Sequence, residues 1–307
     1  MNKGSVMKPN KIQGVLPVIN TPFDATNQID QVVLSREIDW IFAQGAQGIC
    51  AGMVSELLRL TYEERNILSQ KMVEFSAGRG AVIMSVGAES TEQALVFARE
   101  AESAGCDAVM AIPPLSTSLS NTEVWGYFQA LAEEVDLPLI VQDASAYVGQ
   151  PIDLEVLARL LDHYGPEKIL FKPEASPLGP NLSALRDRTD GRARIFEGSG
   201  GIGLVDSFRR GIAGTMPGVD LLDVTIALWR ALEAGDENEI YRLYFPICAM
   251  VALQMQAGLD GFIAIEKDIL VKRGIFLNAD RRGPNSWVID DETAAEVDRL
   301  LVIMGVL

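Results

Sequence analysis

Residues 169–174 read Ile169-Leu170-Phe171-Lys172-Pro173-Glu174, an apolar run that ends on an amine and a carboxylate. A short apolar run bounded by turn signals reads as a buried strand. Lysine is rarely buried without a partner or a task. Residues i and i+2 of a strand face the same side, so Lys172 and Glu174 are expected to stand together. An amine beside a carboxylate suits chemistry on a keto acid through a lysine Schiff base. A lysine at a strand end can also be solvated or salt-bridged, and the residues alone leave both readings open.

The same kind of run recurs on either side. Strand-like stretches fall at 14–20, 48–51, 81–86, 108–112, 139–142, 169–172, 193–197 and 214–216. Stretches with helical spacing lie between them, at 31–44, 61–76, 91–104, 121–134, 153–161, 178–188 and 202–210. Thr61 with Glu64, and Thr91 with Glu92, look like helix starts, and Ala104-Gly105 looks like a helix end. Strands alternating with helices predict an α/β fold, a (β/α)8 barrel, with a doubly wound sheet as the competing arrangement. After Gly218 only helical patterns remain, at 221–234, 237–257, 262–273 and 292–304. The chain therefore divides into a barrel over residues 1–218 and a C-terminal helical region over 219–307 packed on it.

Working groups of such barrels lie at the C-terminal ends of the strands. Four segments qualify: Ala51-Gly52-Met53-Val54-Ser55-Glu56, Gln142-Asp143-Ala144-Ser145, Lys172-Pro173-Glu174 and Glu197-Gly198-Ser199-Gly200-Gly201. The last is glycine-rich before a helix, which could hold a phosphate. It has neither the P-loop lysine pattern nor a Rossmann setting, so close approach of backbone to substrate, with Ser199 as a contact, is the better reading.

The chain has 307 residues, three cysteines, one histidine and a formal net charge of −16. That charge argues against nucleic acid, which is bound by clustered Lys and Arg, and against an anionic membrane surface. It does not exclude a small anionic substrate, because a local site can be positive within an acidic protein. Cys50, Cys106 and Cys248 are far apart among small or apolar residues and read as reduced core thiols of a cytoplasmic protein. Cys50 reads as a buried strand residue rather than a nucleophile. A lone His163 rules out a multi-histidine metal site, and no metal-ligand spacing is seen. Residues 1–10 are polar and do not read as a secretory leader, and no apolar run is read as long enough to span a membrane.

Taken in order, several segments resemble the superfamily of dihydrodipicolinate synthase and N-acetylneuraminate lyase, the class I Schiff-base aldolases. They are Val18-Ile19-Asn20-Thr21-Pro22-Phe23, Leu60-Thr61-Tyr62-Glu63-Glu64-Arg65, Ala104-Gly105-Cys106-Asp107-Ala108 and Asp136-Leu137-Pro138. The resemblance covers nearly the whole chain. It puts Lys172 where the family keeps its Schiff-base lysine, and it implies a homotetramer. The family's Gly-Thr-Thr-Gly-Glu loop, which holds the substrate carboxylate partly through backbone N–H groups, reads here Gly52-Met53-Val54-Ser55-Glu56. Its hydroxyls are gone at Met53 and Val54, and Ser55 could replace one. The proton-relaying tyrosine is replaced by Gln142, which hydrogen-bonds but cannot shuttle a proton. The paired tyrosines fall on Pro114 and Leu115, and the synthase's arginine on Tyr147. These departures speak against synthase activity and against active sites shared between subunits.

Gln142-Asp143, Lys172-Pro173-Glu174 and Glu197-Gly198 together resemble the branch that contains 2-keto-3-deoxy-L-arabonate dehydratase. That resemblance implies proton transfer by Glu174 and Glu197, with Gly52, Met53, Val54, Ser55, Gln142, Gly198 and Ser199 binding substrate. The expected reaction is dehydration of a 2-keto-3-deoxy sugar acid, without metal or organic cofactor. Retro-aldol cleavage of a similar substrate is the nearest alternative, and binding of a keto acid without turnover is a third.

Overall fold

The alternation closes into a (β/α)8 barrel in the computed structural model, which describes residues 12–307. The polar start, residues 1–10, lies outside the described residues. The first half runs β1 (Gly14–Val15), α1 (Gln31–Gln44), β2 (Gly48–Ala51), α2 (Tyr62–Ser76), β3 (Ala81–Ser85), α3 (Thr91–Ala104), β4 (Ala108–Ala111) and α4 (Asn121–Glu134). The second runs β5 (Leu139–Asp143), α5 (Leu154–Tyr164), β6 (Ile169–Pro173), α6 (Leu178–Arg188), β7 (Phe196–Glu197), α7 (Leu204–Arg209), β8 (Gly214–Thr215) and α8 (Leu222–Ala234). Then follow α9 (Glu237–Gln254), α10 (Gly258–Lys272) and α11 (Asp291–Met304).

All strand pairs are parallel: β2 to β6 pair in sequence, and β1 pairs β8, which pairs β7. Single bridges join the two sets. Ile19 N–H donates to Cys50 O at 2.9 Å and Cys50 N–H to Pro17 O at 2.8 Å, while Phe171 N–H donates to Arg194 O at 2.9 Å. The doubly wound alternative is thereby excluded. The first strand is shorter than the expected 14–20 because Pro17 has no N–H for the ladder, and Pro217 likewise follows closely on β8.

Strand alternation divides the core in two. Leu16, Cys50, Ile83, Met110, Ile140, Leu170 and Phe196 fill the barrel interior. Their neighbours Ile49, Val82, Val109, Val141 and Phe171 pack outward against the helices. On this period Gln142 follows Ile140, and Lys172 follows Leu170, on the inward row at the top of the barrel.

Helix starts obey local chemistry. Thr61 and Glu64 form a reciprocal capping box, with Glu64 N–H donating to Thr61 Oγ1 at 3.2 Å and Thr61 N–H to Glu64 Oε2 at 2.9 Å. The next cap is Ser90, not Thr91: its hydroxyl accepts from Gln93 N–H at 3.2 Å. The break expected between 257 and 262 is a single 3-10 turn, Met255–Ala257, after which α10 starts at once in a new direction. Gly261 permits the tight return, since a Cβ there would lie 2.4 Å from Gln254 O. The combined stretch Glu237–Lys272 contains an 18-residue window of mean hydropathy 1.4. By length and composition it could cross a bilayer, contrary to the sequence reading, but half of that window is buried within the fold.

Candidate active site

Lys172 and Glu174 meet as strand spacing requires. Lys172 Nζ lies 3.0 Å from Glu174 Oε2, and both side chains are about 5% exposed. Gln142, opposite Lys172 in the β5–β6 register, donates from Nε2 to the same Oε2 at 2.5 Å. Because the carboxylate takes the amide nitrogen, Gln142 Oε1 is left as an acceptor, and it has no protein partner. Burial raises the Glu174 carboxyl above its usual range, and Glu197 adds to the rise, while Lys172 and Gln142 oppose it.

The pair lines a cavity at the C-terminal end of the barrel. Val18, Met53, Val54 and Met216 form much of its apolar wall. Gly198 makes room: a Cβ there would lie 2.4 Å from both Lys172 Cε and Glu174 Oε1. Tyr147, from the loop after β5, donates toward Glu174 Oε1 at 3.4 Å and toward Gly198 O at 3.3 Å. Burial and the carboxylates of Glu174 and Glu197 push its phenol well above the ordinary tyrosine range. The Glu174 carboxylate thus gathers an amide from Gln142 and a phenol from Tyr147.

Other expected residues are placed differently. Phe196 faces the barrel interior, so the next residue, Glu197, points to the outer side with Thr215. Both its oxygens are engaged, Oε1 by Ser199 N–H at 2.6 Å and Oε2 by Thr215 Oγ1 at 2.8 Å. It is not among the cavity's lining residues. Ser199 is occupied locally as well, its hydroxyl accepting from Gly203 N–H at 2.8 Å. Ser55 is fully buried, with its hydroxyl donating to Ile19 O at 2.5 Å and accepting from Gly52 N–H at 3.0 Å. It holds the loop together rather than facing a substrate. Met53 and Val54 open a 3-10 turn, Met53–Ser55. The first N–H groups of such a turn have no partner within it, and these two residues do line the cavity. Cys50 is enclosed in the barrel interior, where burial pushes its thiol up to about 12.

Residues the sequence reading missed come from far along the chain. Leu259, Phe262 and Glu266 of α10 close the cavity opposite β5 and β6, so its walls come from both sides of the division expected at Gly218. Glu266 is 2% exposed, its Oε2 accepting from Asn20 Nδ2 at 2.9 Å, and Asp220 is buried beside it. Glu266-Lys267-Asp268 looks like a solvated helix face, and only its apolar flanks Ile265 and Ile269 hinted at burial.

The sequence model described as the "Dihydrodipicolinate synthetase family" matches residues 11–202. A 4-hydroxy-tetrahydrodipicolinate synthase from Gluconacetobacter diazotrophicus is 29% identical over 158 residues, 51% of this chain and 53% of that protein. The alignment thus spans about half the length of that relative. An L-2-keto-3-deoxyarabonate dehydratase from Azospirillum brasilense is 26% identical over 238 residues, 76% of each protein. Among solved structures, YagE from E. coli K12, a dihydrodipicolinic acid synthase family protein in complex with pyruvate, superposes with a TM-score of 0.87. It is 21% identical, and the overlap covers 96% of this chain and 99% of that one.

Proposed function

This chain belongs to the dihydrodipicolinate synthetase family, and from that premise we propose that it is a lyase that forms a Schiff base between Lys172 and a 2-keto acid and dehydrates a 2-keto-3-deoxy sugar acid. The observation that carries this is the buried 3.0 Å contact between Lys172 Nζ and Glu174 on a cavity wall. Two charges removed from water are costly unless well paired, and burial favours the protonated form of Glu174. Proton transfer from amine to carboxyl leaves Lys172 free to attack the C2 carbonyl, and Glu174 returns that proton to the carbinolamine hydroxyl, which leaves as water to give the iminium. That electron sink acidifies C3. Glu174, ionised again, takes the C3 proton and gives an enamine. The proton returns to the C4 hydroxyl as it leaves, directly or through Tyr147, whose phenol touches Glu174 Oε1. Water then hydrolyses the conjugated iminium and frees Lys172.

The Met53 and Val54 N–H groups hold the substrate carboxylate in this reading, and Gln142 Oε1 accepts from a substrate hydroxyl. The similarity to the Azospirillum brasilense dehydratase supports the same chemistry. Retro-aldol cleavage is the second reading, favoured by the Tyr147 phenol, which could relay the C4 hydroxyl proton to Glu174. A homo-oligomer working in the cytoplasm is the setting that the family resemblance supports.

Incubation with pyruvate, borohydride reduction and peptide mass mapping should place the adduct on Lys172; no adduct there refutes the Schiff base. With a 2-keto-3-deoxy acid, a product one water lighter indicates dehydration, whereas pyruvate plus an aldehyde indicates cleavage.

A further inference from the structure

Glu266 and Asp220 form a second acidic pair that the mechanism above does not use. Both are buried, and Glu266 lines the same cavity as Lys172. A Cβ on Gly218 would lie 2.4 Å from Glu266 Oε1 and 2.8 Å from Asp220 Oδ1, so the two carboxyls crowd into the space that this glycine leaves. Two buried carboxyls so crowded disfavour each other's ionised form, so that one of them stays protonated while the other is charged. The surroundings decide which carboxyl keeps it. Asp220 Oδ2 accepts from Gln254 Nε2 at 2.8 Å, and the Arg273 guanidinium, bonded to Asp220 O at 2.6 Å, favours charge on Asp220. Glu266 receives one bond from Asn20 and also faces Glu37, with Lys267 as its opposing cation.

Asn20 fixes the position of Glu266 relative to substrate. Its Nδ2 donates both to Glu266 Oε2 at 2.9 Å and to Val54 O at 3.2 Å. The Glu266 carboxyl thus stands beside the turn assigned to the keto-acid carboxylate. Lys172 is the one cation among the described residues that line the cavity. A carboxylate entering there meets repulsion from an ionised Glu266 and gains a donor from a protonated one.

We propose that Glu266 is a specificity-determining residue, whose carboxyl keeps the one proton of the Glu266–Asp220 pair and donates it in a hydrogen bond to the carboxylate of the keto acid. The inference rests on the keto-acid reading of this cavity. Burial, the Asp220 charge and Glu37 all push Glu266 well above the ordinary carboxyl range, consistent with a donor at neutral pH. The sign follows: affinity for a keto-acid anion falls as rising pH removes that proton.

The test is calorimetric titration with pyruvate from neutral to alkaline pH, with borohydride trapping run in parallel on the same proteins. Glu266→Ala should weaken binding about tenfold or more at neutral pH. Glu266→Gln keeps a donor but cannot ionise, so it should bind within about threefold of wild type and lose the part of the alkaline decline due to Glu266. Asp220→Asn removes the neighbouring charge and should move that decline to lower pH. Unchanged affinity in Glu266→Ala, or an unaltered alkaline decline in Glu266→Gln, overturns the proposal. If Lys172 is trapped and Glu266 has no effect, this inference fails and the lysine reading stands. If pyruvate binding depends on Glu266 but no adduct forms, the reverse holds.

Discussion

Lys172 meets Glu174 at 3.0 Å, and Lys267 meets Glu56 at 2.5 Å, with both pairs buried. The second pair is sealed: neither side chain has any exposure. Lys267 Nζ also donates to Asp280 O at 2.7 Å, and the Phe23 ring lies 4.6 Å from it. The other oxygen of Glu56 accepts from Arg282 N–H at 2.7 Å. Glu56 is held at φ 58° between two short 3-10 turns, so this ion pair anchors the turn that precedes it to α10 and to the segment that follows. The first pair has open valences on a cavity, and its carboxylate also gathers Gln142 and Tyr147. Burial of a lysine therefore does not identify chemistry by itself. A buried lysine becomes a candidate nucleophile when its surroundings leave room for a reacting carbon.

That contrast is open to direct attack. Lys172→Met should abolish trapping and reduce turnover by about 10³-fold or more. Its melting temperature should change little, because Glu174 can stay protonated beside an apolar neighbour. Lys267→Met should do the opposite. Leaving Glu56 without its cation should cost about 3–5 kcal/mol in a denaturant melt, while the folded fraction still forms the Lys172 adduct. If the two substitutions have interchangeable effects, the distinction fails.

Gly198→Ala sharpens the picture on the open side. A methyl group 2.4 Å from both Lys172 Cε and Glu174 Oε1 must separate them, and steady-state kinetics should show a loss of about tenfold to a hundredfold in kcat. On the sealed side, burial pushes Glu37 up to about 8. Between the unfolded value of 4.5 and that value the folded chain holds a proton that the unfolded chain has released. Unfolding free energy from this group therefore falls as pH rises through the window. Glu37→Gln should flatten the stability profile there by on the order of a few kcal/mol, measured by urea melts at several pH values.

The barrel was legible because its signals are local. Period two on β5 and β6 put Gln142 and Lys172 on the inward row, and Lys172–Glu174 spacing predicted their contact. The same logic gave no phase for β7, which is two residues long: whether Phe196 or Glu197 faces inward depends on register with Gly214 and Thr215. Ser55 was a reasonable replacement for a lost hydroxyl, but its bond to Ile19 O joins residues 36 apart in sequence. Tyr147 sits on a loop, where alignment gives position but not direction. Glu266 escaped notice because its burial depends on α10 returning over the barrel mouth, and no helix-face pattern encodes that return.

The outer wall of the cavity comes from Leu259, Phe262 and Glu266, whereas Lys172 comes from β6. A ribosome makes Lys172 before the α10 residues that wall its cavity. The cavity around Lys172 lacks this part of its wall until α10 has been made and docked. The order of residues in the chain thus delays closure of the cavity until α10 has followed β6 off the ribosome.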